Sequence, residues 1–272
     1  MTTTPPSLFL GATGGCANAC LVHALRASQP CIALARTPSK LTAQLESQGL
    51  TPSQLANLTC VQGNALSLTD VKAALLAHCS EKLPGMIVTG LGGTPHLRFD
   101  WRAPLQIAGL DDAHVCEGAA RTLVAALREV QEEEERKKKG KKGNAVEKPS
   151  VVFISTTGVS RGPEDVPLAM RFLYHQMLAV PHADKKGMED VLRAEEGGVF
   201  RKVSGVRPTL LAGAVSVEDG VGWKALRAGT EQKPELGYSV KRADVGEWIY
   251  ENLVKEGGER RRWEGEMVSL TS

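Results

Sequence analysis

Gly11-Ala12-Thr13-Gly14-Gly15-Cys16-Ala17 follows the apolar run Leu8-Phe9-Leu10 and opens a segment of helical pattern that continues to Arg26. Small residues at this spacing, after a strand and before a helix, are what a dinucleotide pyrophosphate needs. Gly11 permits the tight turn, Gly14 lets the backbone approach the phosphates, and Ala17 lets the helix pack closely on the strand. The phosphates then rest on the helix N-terminus, whose free N–H groups and dipole both favour negative charge. Gly11, Thr13, Gly14, Gly15, Cys16, Ala17 and Asn18 are therefore candidate cofactor-binding residues. The next apolar run, Pro30 to Ala35, ends in Arg36-Thr37. An NAD site usually carries a carboxylate there for the ribose 2′-hydroxyl, whereas a guanidinium pairs with a 2′-phosphate, so Arg36 and Thr37 favour NADP (NADPH). The other reading is a solvated arginine at the head of a loop. Further on, Val151-Val152-Phe153-Ile154 runs into Ser155-Thr156-Thr157-Gly158, which sets hydroxyls at the carboxyl end of a strand, beside the ligand crevice of an open α/β sheet.

Binding positions at strand ends need a parallel sheet to present them, and the remaining pattern supplies one. Runs at Leu58 to Val61, Met86 to Thr89, Lys202 to Val206 and Glu266 to Leu270 read as further strands. Helical stretches fall near Lys40 to Gln48, Asp70 to His78, Asp112 to Val130 and Ala243 to Leu253. This alternation predicts an α/β fold, a Rossmann-like doubly wound parallel sheet with helices on both faces. In the longest helix Val115, Ala119, Leu123 and Leu127 share one face. Its end, Glu132 to Glu135 and then Arg136 to Lys142 with Gly140 and Gly143, predicts a solvated helix end and a flexible charged insertion at about 131–149. A contact of these lysines with nucleic acid or a partner is the other reading.

The chain's 272 residues suit a single domain with a substantial core. A net charge of +2 argues against nucleic acid or membrane as a general partner. No apolar run approaches the roughly twenty residues of a membrane span, and Met1 to Pro6 lacks the basic and apolar parts of a signal peptide, so a cytoplasmic location is expected. Cys16, Cys20, Cys31, Cys60, Cys79 and Cys116 form no CxxC pair and read as buried thiols, with no metal site. Cys16 stands apart, at a helix N-terminus beside phosphate, where dipole and ligand push its ionisation in opposite directions.

Taken together, Gly11-Ala12-Thr13-Gly14-Gly15, the strand end at Arg36, Val88-Thr89-Gly90-Leu91-Gly92-Gly93, Ile154-Ser155-Thr156-Thr157-Gly158, Val206-Arg207-Pro208 and Arg242-Ala243-Asp244-Val245 resemble the atypical short-chain dehydrogenase/reductase family. Within it the NmrA-like and biliverdin-reductase-B-like NAD(P)-binding proteins are most similar, over nearly the whole chain except the lysine-rich insertion. The resemblance implies that Asn64 and Ala65 border the adenine, Asn64 replacing the usual acid while still able to hydrogen-bond. It implies that Gly90, Leu91 and Gly92 run beside the adenosine ribose and the nicotinamide-side backbone, and that Ser155, Thr156 and Pro208 join the cofactor-binding set. Thr157 stands at the family's catalytic serine or threonine position, where its hydroxyl would donate to a substrate carbonyl as charge develops. Its other reading is a hydroxyl that satisfies a backbone group in its own turn.

The family's usual tyrosine is absent. Members commonly carry Tyr, three residues, Lys, three residues and Glu; Lys185 and Glu189 keep the second spacing, and Pro181 takes the tyrosine position. The standard proton donor is thus missing, leaving His182, Tyr174 or solvent. His182 has an unperturbed pKa near neutrality, and is otherwise a loop or surface residue. Lys185 either holds the nicotinamide ribose or is an exposed helix lysine beside Lys186. Lys241 replaces a capping serine ahead of Asp244. The segment at about 213–237 is expected to cover a substrate, with Trp223 lining the pocket or packing on the sheet edge. The resemblance implies an NADP-dependent oxidoreductase that transfers hydride to a carbonyl or conjugated small molecule. The alternatives on the same fold are a redox-sensing NAD(P)-binding regulator with a protein partner, and a non-redox isomerase or cyclase.

Overall fold

The computed structural model describes residues 5–77, 83–92, 95–97, 108–110, 112–138, 146–256 and 260–272. The chain first repeats strand and helix: β1 (Ser7–Leu10), α1 (Gly15–Arg26), β2 (Cys31–Ala35), α2 (Pro38–Glu46), a short α3 (Pro52–Leu55), β3 (Leu58–Gln62), α4 (Leu68–Leu75) and β4 (Met86–Thr89). A small antiparallel pair follows, β5 (Pro95–Leu97) and β6 (Ala108–Leu110), and then α5 (Val115–Lys138), β7 (Ser150–Ile154), α6 (Ala179–Arg193) and β8 (Val203–Pro208). The remainder comprises β9 (Leu210–Ala212), β10 (Arg227–Thr230), β11 (Ser239–Lys241), α7 (Arg242–Ile249), α8 (Arg260–Trp263) and β12 (Met267–Thr271). Eight strands form one sheet in the order β10-β12-β8-β7-β4-β1-β2-β3, parallel throughout except that β10 runs antiparallel to β12. The predicted doubly wound sheet is therefore present.

Alternation along the strands decides the layers. Phe9 of β1, Val88 of β4 and Val152 and Ile154 of β7 join a core with α1, α2 and α7. Leu8, Leu10, Ile87, Val151 and Phe153 face the other way, onto α4, α5 and α6. Gly246 of α7 lets that helix touch α1: a Cβ there would lie 2.5 Å from the Ala19 Cβ and 2.8 Å from the Cys20 nitrogen. Both faces are thus covered, and the carboxyl ends of the central strands are left as the crevice.

Several expectations shift. The longest helix does not stop near Val130; it continues to Lys138, so residues 131–138 belong to α5 rather than to an insertion. Lys72 of α4 reaches Glu129 and Glu133 at 3.0 and 2.9 Å, while Gln131 is buried and donates to the Val199 carbonyl. Those contacts give the charged end of α5 something to lie against. The part of the lysine run from 139 to 145, and Cys79, lie outside the described residues. The predicted cover at 213–237 is partly regular, since β10 pairs with β12 and extends the main sheet. Trp223 packs with Trp248 and Trp263 around a cavity of about 340 Å³ at that sheet edge. His182 lies within α6 rather than in a loop. Lys241 makes no side-chain cap for α7; its ammonium reaches the Asp219 carbonyl at 2.7 Å. Cys16, Cys20, Cys31, Cys60 and Cys116 are free thiols, and no metal-binding cluster occurs among the described residues. No described helix is long and apolar enough to cross a membrane.

Candidate cofactor crevice and active site

The turn between β1 and α1 is built as its glycines require. Gly11 sits at φ +76°, in the left-handed region that favours glycine, and a Cβ there would lie 2.9 Å from the Gly90 carbonyl carbon. The Gly14 N–H donates to the Gly11 carbonyl at 2.9 Å, closing the turn. Gly90 in turn fits against Ala17, since a Cβ on Gly90 would stand 2.6 Å from the Ala17 Cβ. At Gly14 an added Cβ would meet only the Gly11 and Gly90 oxygens, at 3.3 and 3.5 Å, and otherwise open space. Gly14 caps α1 without any side chain, so the first N–H groups of the helix have no side-chain acceptor there. Asn18 is spent inside the fold: its amide donates to the Ala12 carbonyl and accepts from Gln48, which shapes the turn from behind. Thr13 is exposed and Cys16 is buried. Burial pushes the Cys16 thiol up to about 12 against the lowering charges of Arg242 and Lys185, so it stays protonated at neutral pH.

From this turn the other candidates extend along the sheet in both directions. Arg36 and Thr37 follow β2 and are exposed. Asn64 and Ala65 follow β3; the Asn64 N–H donates to Asp70, and its side-chain oxygen accepts from Leu66 N–H, pinning that end. Gly90, Leu91 and Gly92 follow β4, Ser155, Thr156 and Thr157 follow β7, and Pro208 closes β8. The carboxyl ends of six adjacent strands therefore carry the set, a row of about 24 Å at about 4.8 Å per strand.

Lys185 stands over the middle of this row. Its ammonium donates to the carbonyls of Leu91, beyond β4, and Ile154, at the end of β7, at 2.7 and 2.8 Å. Neighbouring Asp184 is buried and accepts the Cys116 and Glu117 backbone N–H groups at 3.0 and 2.9 Å, so α6 caps the start of α5. Adjacent residues thus fix α6 to three elements at once.

Thr157 does not face an open crevice. It is 1% exposed, and its N–H donates to the Pro208 carbonyl at 3.1 Å. Tyr174 lies in a π-helical turn, Leu173–Met177, just ahead of α6. Beside it the Ser155 hydroxyl is buried without a hydrogen-bond partner among the described residues. The Asp165 carboxylate accepts the Gly158 N–H at 2.8 Å, and burial raises its pKa.

No profile of a known protein family matches the sequence. An oxidase of Aspergillus niger, pynE, is 39% identical over 98% of this chain and 98% of its own length. A reductase of Aspergillus terreus, pytE, is 37% identical over 100% of both. Among solved structures, the anaerobillin reductase ChuY from Escherichia coli O157:H7 matches with a TM-score of 0.61 at 18% identity, over 97% of this chain and 96% of that one. The oxidoreductase ylbE from Lactococcus lactis has the same TM-score at 13% identity, over 98% and 90%. At such identities these two structures speak for the fold alone; the fungal relatives, alike along their whole length, decide the family. The chain belongs to the atypical short-chain dehydrogenase/reductase family. It is an oxidoreductase of that family.

Two features of this short-chain dehydrogenase/reductase escaped sequence reasoning. Arg242 lays its aliphatic stem across Gly15 and donates to the Gly213 carbonyl at 2.7 Å, which brings a cation to the start of α1. Its place in Arg242-Ala243-Asp244-Val245 was the only signal. The second is a buried chain of alternating charge. Arg207 of β8 grips Glu189 of α6 through two bonds, 3.0 and 2.6 Å, and also donates to Glu231 at 2.9 Å. Glu231 is held in turn by both terminal nitrogens of Arg193, at 3.1 and 3.0 Å. Burial acts to lower the Arg207 pKa, but the two carboxylates outweigh it and hold the guanidinium above its ordinary value. Burial likewise acts to raise Glu231, and the two arginines outweigh it to hold that carboxyl below its ordinary value.

Proposed function

We propose that the protein is an NADP-dependent reductase that transfers hydride to a carbonyl or conjugated small molecule. The observation that carries this reading is the slot at Gly14. Among the described residues a Cβ at Gly14 would ask only a small shift of the Gly11 carbonyl oxygen at 3.3 Å, yet a longer side chain would fill the space before the uncapped start of α1, where a pyrophosphate gains free N–H groups and the helix dipole. Gly11, Gly14, Gly15 and the backbone from Cys16 to Asn18 would hold the phosphates, with Arg242 adding positive charge. Asn64 and Ala65 would border the adenine. Gly90 to Gly92, Ser155, Thr156 and Pro208 would line the other half, and the unpartnered Ser155 hydroxyl offers a bond there. When bound, the reduced nicotinamide supplies the hydride; the protein orients it, excludes water and delivers a proton. Lys185 fixes the strand ends that frame the reacting centre.

NADP in preference to NAD rests on Arg36, an exposed guanidinium where a 2′-phosphate would stand. Arg36→Asp is expected to weaken NADPH binding by about 1.5 to 3 kcal/mol, the scale of a charge-assisted hydrogen bond, with a smaller effect on NADH. Calorimetry with both cofactors checks this, and equal losses would assign the arginine to solvent. The reaction itself is tested by loss of NADPH absorbance against quinones, flavins, enones and tetrapyrroles. Turnover of one class supports the reductase; tight NADPH binding with no turnover across the panel overturns it.

A further inference from the structure

The cavity of about 340 Å³ at the β10 edge of the sheet is built from residues that the cofactor row does not use. Trp223, Trp248, Trp263, Asn252 and Arg262 line it, so three of the chain's four tryptophans meet there from three separate segments. Trp248 and Trp263 are buried and meet edge to face, centroids 5.5 Å apart and planes at 62°. Trp223 is half-buried, and the space between it and the other two indoles is left unfilled. Its place is fixed by α7. The Trp223 N–H donates to Glu247 at 3.0 Å, and the Val221 and Gly222 N–H groups just before it donate to buried Asp244 at 2.7 and 2.8 Å. Gly222, at φ +102°, permits that turn of the chain. A π-helical turn, Tyr250–Val254, continues α7 and carries buried Asn252, whose amide donates to the Trp248 carbonyl at 3.0 Å. The walls of the cavity are therefore held before anything enters it.

Three indoles by themselves would suit a cation. Here two cations already sit on two of them: the Arg262 guanidinium carbon is 4.6 Å from the centre of the Trp263 ring, and the Lys224 ammonium is 5.8 Å from that of Trp223. A cationic guest would be repelled by both charges, whereas an anion would be attracted while its rings stack on the indoles. The planar fork of Arg262 matches the two oxygens of a carboxylate. The volume is at the lower end of small-molecule pockets, which suits a guest of one or two fused rings. We propose that this cavity is a second small-molecule site, for a planar aromatic carboxylate whose rings lie against the tryptophans and whose charge rests on Arg262. It is separate from the cofactor row. The two are joined only through α7, which reaches the turn between β1 and α1 with Arg242 on Gly15, six residues before Trp248 and about 9 Å along the helix axis. Both sites can be filled at once, and the second does not depend on the reductase reading.

The probe is 2-naphthoate, titrated calorimetrically into the full chain. Saturable binding is expected, about tenfold tighter than for the corresponding amide, which has the same rings without the charge, and tighter again than for the corresponding methylammonium. Arg262→Gln should weaken the carboxylate about tenfold and leave the amide unchanged, because only the charged guest uses the guanidinium. Trp223→Ala should weaken carboxylate and amide alike, because it removes a wall that both rings touch. Arg262 is exposed and Trp223 lies in a short turn outside the sheet, so both variants are expected to fold, and a thermal melt beside each titration checks this. Saturating NADPH should not displace the probe. No saturable binding to the wild-type chain, equal or tighter binding of the methylammonium, or a carboxylate affinity indifferent to Arg262→Gln overturns the proposal. Displacement by NADPH overturns it as well, since the probe would then lie in the cofactor crevice.

Discussion

Gly14→Val should abolish dinucleotide binding, by at least a hundredfold for NADPH and NADH alike, in a protein that still folds. The two halves of that expectation come from different atoms. Gly14 has an extended backbone, φ −83° and ψ 143°, which valine adopts without strain, and a Cβ there meets only two carbonyl oxygens at 3.3 and 3.5 Å. The folded state therefore loses about 1 kcal/mol, mainly because valine is a poor helix N-cap. A bound pyrophosphate would lose far more, because the branched side chain takes the place of the phosphates and a hundredfold corresponds to about 2.7 kcal/mol. Gly11→Ala is the informative contrast: its left-handed φ and the 2.9 Å approach to Gly90 should cost stability as well as binding. Calorimetric titration beside a thermal melt separates them. Retained affinity in Gly14→Val would mean that the phosphates lie elsewhere.

Glu189→Ala is expected to destabilise the protein by about 3 to 5 kcal/mol, because it strands a buried charge. Arg207 is 2% exposed, and without Glu189 it keeps only Glu231, which Arg193 also claims. The surface pair Arg136 and Glu132 offers the opposite limit: both are mostly exposed, and Arg136→Ala should change stability by less than about 1 kcal/mol. Urea unfolding at neutral pH compares the two, and a loss below about 1 kcal/mol for Glu189→Ala would show that water reaches Arg207. Acid reports on the same chain. Glu231 has a folded pKa below its unfolded value of 4.5, so the stability it adds is fully present above that value and is lost as pH falls through the lower folded one.

The turn between β1 and α1 was legible in the sequence because everything it requires is local: a strand, a left-handed glycine, a close approach and a helix start, all within Leu8 to Ala17. The doubly wound sheet followed from the same local repetition. The charge chain was not legible, since Arg207, Glu189, Arg193 and Glu231 come from three separate segments, and lone charges in a sequence read as solvent-facing. Tyr174 was visible as a residue, but a π-helical turn has no periodic signature that would have packed its ring on His182. Thr157 was read as facing the crevice because its burial against Pro208 comes from a strand distant in sequence. The length of α5 was hidden in its charges: Glu129 and Glu133 look solvated until Lys72 of α4 is seen opposite them. Arg227 to Thr230 lacks the apolar alternation of a strand, so the antiparallel edge β10 went unforeseen.

The position of β12 imposes an order in time. The strands β3-β2-β1-β4-β7 pair among themselves within the chain up to Ile154, and each joins a neighbour through a helical crossover, although α7 must still arrive to cover α1. The other half cannot close until Met267–Thr271 enters between β8 and β10, which leaves the strand carrying Arg207 with an open flank through the intervening stretch of chain. Non-local pairings of this kind are intrinsically slow, as is the β1–β4 pairing in the other half. Until β12 enters, β8 is paired with β7 alone and presents its other edge. A ligand that occupies the first half early would lower the free energy of the partly folded chain and shorten its exposure to aggregation.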